Sequence, residues 1–463
     1  MVVLWEVGVL KFPRIAPVHY IPISFLIVIT IGTLLLMLPV SCSSGQGSDF
    51  LTALFTSTTS VCVTGLVVVD TYAYWSFFGQ LVILILIQIG GLGVVSVLSM
   101  IMIATGRKIF LSNRMLLGDS LNLDNQQGVI NFLIRMFKGV LIIELCGALI
   151  CSIKLIPMLG VSKGTWASVF QSVSAFCNAG MDVIGPDSMI GLRDSGILML
   201  TTMILIVLGG IGFIVWFDIA DGIKNAVRRR FSFHQFFSHL PEHTRVVILM
   251  TLFLITAGTV LIFIFEYNNP DTLGSMTLYS KLLNSCFQSV TFRTAGFASL
   301  PQEHLTEGSC MIGYILMFIG GSPIGTAGGI KTMTAFLFFI NAFSYINGKK
   351  ENVIFHRRVP EGQLKKAAAI VFFSMVTVFV MTLLLMTVCK IAHTDALYEV
   401  ISALGTVGLS RGLTPKLDTV GQVVIIISMY LGRIGPISMA VFFAKEKKSD
   451  NSIEHAAGTF YVG

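Results

Sequence analysis

The sequence predicts an all-α polytopic membrane protein, built as four parallel repeats of outer helix, pore helix and outer helix around a single axis. Three observations predict it. The 463 residues are 54% hydrophobic and only 12% charged, with a mean hydropathy of +0.83. Four glycine-ended segments recur at nearly even spacing. The basic residues collect in polar breaks between these units and are sparse within them.

The outer helices come first. Runs such as "FLIVITIGTLLLMLPV" and "LVILILIQIGGLGVVSVLSMIMIA" approach or exceed the ~18–20 apolar residues that read as a spanning helix. That excludes a soluble protein. Lys11, Arg14 and His19 precede the first run, and no small-residue cleavage site follows it. It therefore reads as a retained first helix and not a removable signal. A net charge of +7 raises the question of nucleic acid, but its distribution argues against that. The cations fall at Arg107, Lys108 and Arg114; at Lys224, Arg228, Arg229, Arg230 and Arg245; at Lys349, Lys350, Arg357, Arg358, Lys365 and Lys366; and at Lys445, Lys447 and Lys448. The positive-inside rule places these breaks and both termini in the cytoplasm. Asp49, Asp182, Asp187, Glu303 and Asp395 mark breaks expected outside. The eight cysteines, at 42, 62, 146, 151, 177, 286, 310 and 389, lack paired metal-ligand spacing and read as reduced packing thiols.

The pore helices follow from the repeat. "FTSTTSVCVTGL", "FQSVSAFCNAGM", "FQSVTFRTAGF" and "YEVISALGTVGL" each start on an aromatic residue and carry a glycine near their end. Those glycines, Gly65, Gly180, Gly296 and Gly408, stand 115, 116 and 112 residues apart. A second signature follows each: "IGGLG", "LGGIG", "IGGSPIG" and "LGRIG". The resulting units are 1–120, 121–240, 241–360 and 361–463. The middle segments, such as Phe170 to Phe176, look too short to cross. With cytoplasmic breaks only between units, each must enter from outside and return. Such backbone is tolerated at membrane depth only where it lines a water-filled cavity.

Four re-entrant loops around one axis make a ring of backbone carbonyls, which can replace the water shell of a cation. Glycine at the same place in each loop suits the dihedrals this needs. The residues before the glycines are Cys62, Val63 and Thr64; Cys177, Asn178 and Ala179; Arg293, Thr294 and Ala295; and Gly405, Thr406 and Val407. None is a carboxylate, which favours a monovalent ion over a divalent one.

The segments "TSVCVTGLVVVDT", "FCNAG", "FRTAGF", "SALGTVGL" with "GLTPKL", and "LGRIGP" resemble the Trk/Ktr/HKT superfamily of potassium transporters. The pattern is most similar to the membrane subunit of the bacterial Ktr system. The resemblance runs from about Pro22 to the terminal "YVG". It implies a K⁺ channel-like fold and K⁺ uptake across a bacterial plasma membrane, often Na⁺-dependent, with no organic cofactor in this chain. It also implies a homodimer standing on a cytosolic nucleotide-binding ring of the RCK type, with Gly463 near the dimer contact. The chain itself has no P-loop and no dinucleotide fingerprint. Two departures stand out: relatives commonly carry Ser, Thr or Asn where Cys62 and Cys177 stand, and Pro323 sits in a loop that elsewhere is mostly Gly, Ser and Thr.

"GGSPIGTAGGIKT" carries five glycines and a proline within thirteen residues and interrupts an outer helix. Gly320, Gly321, Ser322, Gly325, Thr326, Gly328, Gly329 and Lys331 are read as a gate beneath the carbonyl ring. Lys331 faces either carbonyls or a lipid-side interface. Arg433 occupies the place held by Gly91, Gly210 and Gly321 in the other units. A charge there costs roughly 2.5–3.5 kcal/mol. It is expected to bond the free carbonyls of the loop and repel K⁺, with an ion pair to Asp218 as the alternative. Arg293 is expected to pair behind the ring with Asp70, Asp182 or Glu399. Glu399, Gln171 and Gln288 read as solvated helix ends or as attractors of cations. His393 and the histidines of 232–244 show no metal spacing, and the basic stretch 349–366 reads as an anchor or as a docking surface for an acidic partner.

The competing classes are a secondary active transporter of another cation or small solute, and a non-transporting receptor. Broken-helix transporters usually carry inverted repeats, whereas these are parallel. No paired carboxylates or Ser/His arrangement in the spans points to an enzyme.

Overall fold

The computed structural model describes residues 17–105, 128–185, 188–349 and 351–435. The expected contact at Gly463, and Lys11, Arg14, Arg107, Lys108, Arg114, Asp187, Lys350, Lys445, Lys447 and Lys448, lie outside the described residues.

Among the described residues the protein is helical apart from one short hairpin, Val353–Ile354 with Arg357–Arg358. The first outer helices are Pro17–Leu36, Val129–Leu159, Glu242–Glu266 and Glu361–Cys389. They are apolar around most of their circumference, as a helix surrounded by both protein and lipid must be. On Val129–Leu159, Leu133, Met136, Val140, Gly147 and Cys151 face inward, while Leu141, Leu145 and Leu149 stay more than half exposed.

The pore helices are Phe50–Cys62, Val161–Cys177, Leu278–Phe292 and His393–Gly405. The second is longer than the 170–176 segment suggested by the sequence. Asp49 and Thr277 cap the first and third, accepting from the amides of Thr52 and Ser280. A repeated contact seats three of them against their own first outer helix. Ser57, Ser172 and Ser289 donate to the carbonyls of Ile29, Glu144 and Ile255 at 2.7, 2.6 and 2.9 Å. Gly32, Gly147 and Gly258 lie under these hydroxyls, where a Cβ would strike them. The fourth repeat has buried Val400 at the serine position and so lacks this hydrogen bond.

The second outer helices differ from the expectation of single spans with one interruption. Three of them break at their glycine signature, and among the described residues the fourth ends there. Phe77–Leu92 and Val94–Ala104 meet at Gly93, and Gly196–Gly210 and Phe213–Arg229 meet at Gly212. Each pair is bent by 98°. Thr419–Ile434 ends on Gly435. Gly93, Gly212 and Gly435 share φ of 84°, 97° and 91°, a conformation that suits glycine because it has no Cβ. In the third repeat the break widens to the stretch between Glu307–Phe318 and Thr332–Ile346.

Four junctions close the units into a ring. Trp166 donates to Gln80 at 2.8 Å, Ser280 to Asp194 at 2.7 Å, Tyr398 to Gln302 at 3.0 Å and Tyr430 to the Pro22 carbonyl at 2.9 Å. These join repeats one to two, two to three, three to four and four back to one. All eight cysteines are free thiols.

Candidate functional site

Each pore helix ends beside the axis in the same backbone figure. Two residues before each glycine the chain turns left-handed, at Val63, Asn178, Thr294 and Thr406, with φ of 56°, 61°, 67° and 50°. The glycines follow at 96°, 67°, 83° and 94°. Left-handed geometry costs a non-glycine residue roughly 1–2 kcal/mol, and a β-branched residue such as Val63 rarely adopts it. Four matched instances show that the surrounding structure imposes the figure.

The glycines also touch in chain order. A Cβ on Gly65 would meet the carbonyl oxygen of Ala179, one on Gly180 that of Ala295, one on Gly296 that of Val407, and one on Gly408 that of Thr64. All four approaches fall below the 3.0 Å that real Cβ atoms keep. The four segments therefore form a closed ring, in which the carbonyl before each glycine stands against the glycine of the preceding segment, the first closing onto the fourth. The nearest side chains, Cys62, Val63, Thr64, Cys177, Asn178, Ala179, Thr294, Ala295, Thr406 and Val407, are neutral and buried, and Arg293, buried beside them, is the one charged residue among the three before each glycine.

A belt of hydroxyls braces the ring from behind, which the sequence reading missed. Thr59 accepts from the Gly65 amide at 2.9 Å and Ser402 from the Gly408 amide at 3.1 Å. Ser174 accepts from the Met181 amide at 3.2 Å, and Thr291 donates to the Phe297 carbonyl at 2.8 Å. All four stand four residues after the aromatic residue that opens each motif, Phe55, Phe170, Phe287 or Tyr398. The third pore helix carries one residue fewer between that hydroxyl and its glycine. Also missed is a buried chain behind the second segment. Cys177 Sγ donates to Gln88 Oε1 at 3.4 Å, and Gln88 Nε2 to Glu144 Oε2 at 3.2 Å.

Three expectations are corrected here. Glu399, Gln171 and Gln288 are fully buried and neither capture cations nor solvate helix ends. Glu399 accepts from Ser410 and Thr414, bracing the chain that leaves the fourth segment. Gln171 donates to Thr202 at 3.3 Å, and Gln288 pairs with Gln302.

Beneath the ring lies the loop of the third repeat. It is pinned at its neck by Gly320 N to Ile330 O at 3.0 Å and Thr332 N to Gly321 O at 2.9 Å. The broken helix of the second repeat clasps it: Ser322 N and Thr326 N donate to the carbonyls of Gly210 and Gly209 at 2.8 and 3.0 Å, and Phe213 N donates to Ile324 O at 2.9 Å. These carbonyls and the Phe213 amide are available because the helix breaks there. Thr326 Oγ1 reaches Phe176 O at 3.0 Å, and Gly328 packs under Thr406 so closely that a Cβ would strike its hydroxyl.

Three cations surround this level. Arg433 donates to Thr326 O of the loop at 2.7 Å and to the carbonyls of Gly90 and Gly91 in the first repeat. The alternative ion pair is absent: Asp218 accepts from Thr244. Lys331 is turned back on its own loop and donates to Ala327 O, so it faces carbonyls. Arg293 reaches Gly320 O at 3.5 Å. Its expected carboxylate partner is also absent. Asp70 caps Thr71–Tyr74, Asp182 accepts from Ser188, and Glu399 is engaged as above. Among the described residues, none of the three cations has an acid within 4.0 Å.

At the far end, Arg357 pairs with Glu242 and Arg358 with Glu351 and Glu361, so these arginines of the 349–366 stretch already have acidic neighbours. No group of three or more His, Cys, Asp or Glu among the described residues is placed to hold a metal.

Comparison with known proteins gives concordant matches. The family profile described as TrkH: Cation transport protein matches residues 16–455. The Ktr system potassium uptake protein B of Bacillus subtilis is 39% identical over 98% of both chains. The potassium/sodium uptake protein NtpJ of Enterococcus hirae is 36% identical over 95% of both. The crystal structure of the potassium transporter TrkH from Vibrio parahaemolyticus superposes with a TM-score of 0.73 over 94% of this chain and 86% of that one, at 15% identity, a likeness of fold.

Proposed function

The chain belongs to the TrkH family of cation transport proteins, and from that premise we propose that it is the K⁺-translocating subunit of a potassium uptake system. The observation that carries this reading is the closed ring in which the carbonyls of Thr64, Ala179, Ala295 and Val407 stand against the glycines of neighbouring repeats. A multi-pass protein with such a ring offers a dehydrated monovalent cation four equivalent sets of oxygens. The filter is formed by the segments ending in Gly65, Gly180, Gly296 and Gly408, one from each of the units 1–120, 121–240, 241–360 and 361–463. The loop from Gly320 to Lys331, clasped by Arg433, is the gate. Loop and arginine together place positive charge and backbone across the path below the filter.

The names of the relatives support K⁺ as cargo, and the name of the E. hirae protein supports a part for Na⁺. A relative named for a system supports a further subunit. We assign to this chain a homodimer with Gly463 at its contact, a cytosolic nucleotide-binding ring of the RCK type, and cytoplasmic termini in a bacterial plasma membrane. A coupled transporter of another small solute has less support, because broken-helix transporters usually carry inverted repeats.

The test is growth at low K⁺ and ⁸⁶Rb⁺ uptake in a host stripped of its own K⁺ uptake, with the ring subunit supplied. Rescue with saturable ⁸⁶Rb⁺ uptake is expected. Protein present in the membrane without rescue or flux would overturn the assignment.

A further inference from the structure

Arg293 is the group that the ion path leaves unexplained. Its Nε lacks a hydrogen-bond partner. So do two neighbours, Asn178 Nδ2 and Thr251 Oγ1. The three residues are 7%, 1% and 4% exposed. All three line one cavity of about 10 Å³, walled by Ile206, Val290, Gly210 and Gly321. Folded proteins seldom leave one buried polar group unmatched, and three around one small cavity point to a shared ligand.

Its chemistry follows from the donors. The guanidinium Nε–H and the amide N–H can only donate, and the threonine hydroxyl can donate or accept. The ligand must therefore accept at least two hydrogen bonds, and it can satisfy the hydroxyl by giving or by accepting a third. A cavity needs about 10–15 Å³ by this measure to hold one water, so a water fits and a polyatomic anion does not. We propose that a single buried water sits here, accepting from Arg293 and Asn178 and donating to Thr251.

Its place gives it a role. Asn178 is the left-handed residue two before the second filter glycine, and its Oδ1 lies 3.3 Å from Thr326 Oγ1 of the loop. Arg293 stands three before the third filter glycine and reaches the Gly320 carbonyl of the loop. The water joins the second and third filter segments to each other and to the resting loop. Arg293 and Thr251 are thus positioning residues. This role rests on the filter reading above; the presence of the water does not.

The experiment is a structure of the full-length protein at a resolution that shows ordered water, collected with bromide replacing chloride. One peak within hydrogen-bonding reach of all three atoms, with no bromide signal, is expected. No peak, or a bromide signal, would overturn the proposal. Thr251→Val removes the hydroxyl at nearly constant shape. It should weaken the peak and shift the ratio of Rb⁺ to Na⁺ apparent affinities by about fivefold at unchanged protein level, the scale of one hydrogen bond. An unchanged ratio would overturn the coupling. Thr251→Ser keeps the hydroxyl and should match the wild type in both readouts; a shifted ratio there would also count against the coupling. Absence of transport in every form, with the water peak present, would instead refute the K⁺ reading alone.

Discussion

Arg433→Ala tests the gate most sharply. The side chain ties the loop carbonyl of Thr326, at 2.7 Å, to the broken helix of the first repeat at Gly90 and Gly91. Removing it deletes one charge-assisted bond that holds the loop in place. Such a bond contributes about 1.5–3 kcal/mol net, so the ratio of seated to displaced loop should fall by about 10- to 150-fold. It also removes a positive charge from the path. Fold stability should hold, because no acid is left unpaired; losing one member of a buried ion pair would cost roughly 3–5 kcal/mol. The assay is initial ⁸⁶Rb⁺ uptake into proteoliposomes at matched protein, with thermal stability measured alongside. Uptake should rise at least ~10-fold if the seated loop limits flux. Arg433→Lys keeps a charge but offers a compact donor that cannot span both carbonyl sets in a fixed fork, so it should fall between wild type and alanine. Slower or equal uptake in a folded Arg433→Ala protein would refute the gate.

Replacing Gly65, Gly180, Gly296 or Gly408 by Ser places a Cβ against a neighbouring repeat's carbonyl in a backbone that costs side chains roughly 1–2 kcal/mol. Competition uptake should show weaker K⁺ affinity and stronger Na⁺ competition; unchanged values in all four variants would sink the carbonyl ring. Thr59→Val and Ser402→Ala leave the amides of Gly65 and Gly408 unmatched, a penalty of about 1–3 kcal/mol. The K⁺ over Na⁺ preference should drop in both, and a wild-type preference would show that the hydroxyl belt does not shape the filter. Shortening the loop at Pro323–Gly325 removes the segment whose Ile324 carbonyl holds Phe213. K⁺ flux should rise and lose its regulation, whereas lower or unchanged flux at normal protein level would argue that the loop is only a kink.

What the sequence made legible is what physics forces to leave a trace. Glycine is required wherever φ is positive and backbones meet, so the four-fold ring could be read from Gly65, Gly180, Gly296 and Gly408 alone. The breaks at Gly93 and Gly212 left the same trace in "GGLG" and "GGIG", but the apolar run through them looked like one span. The hydroxyl belt was also written at a fixed distance from each aromatic residue; its period was visible, but its purpose depends on the fold. Partners were the hidden part. Arg433 was read as bonding loop carbonyls and does so, but its second grip on the first repeat could not be foreseen. Arg293 was read as a brace behind the ring but given the wrong partner, and Glu399, Gln171 and Gln288 were misjudged because nothing local tells a buried brace from a solvated or ion-facing helix end. Their partners come from distant chain segments: Gly320, Thr414, Thr202 and Gln302.

The central claim is that the cation passes through the ring of glycine segments. The direct measurement is a structure of the full-length protein in Rb⁺, with data at the rubidium absorption edge. Anomalous density is expected on the axis between the carbonyls of Thr64, Ala179, Ala295 and Val407, diminished when Na⁺ replaces Rb⁺. Protein that transports Rb⁺ yet shows its density away from this ring would contradict it.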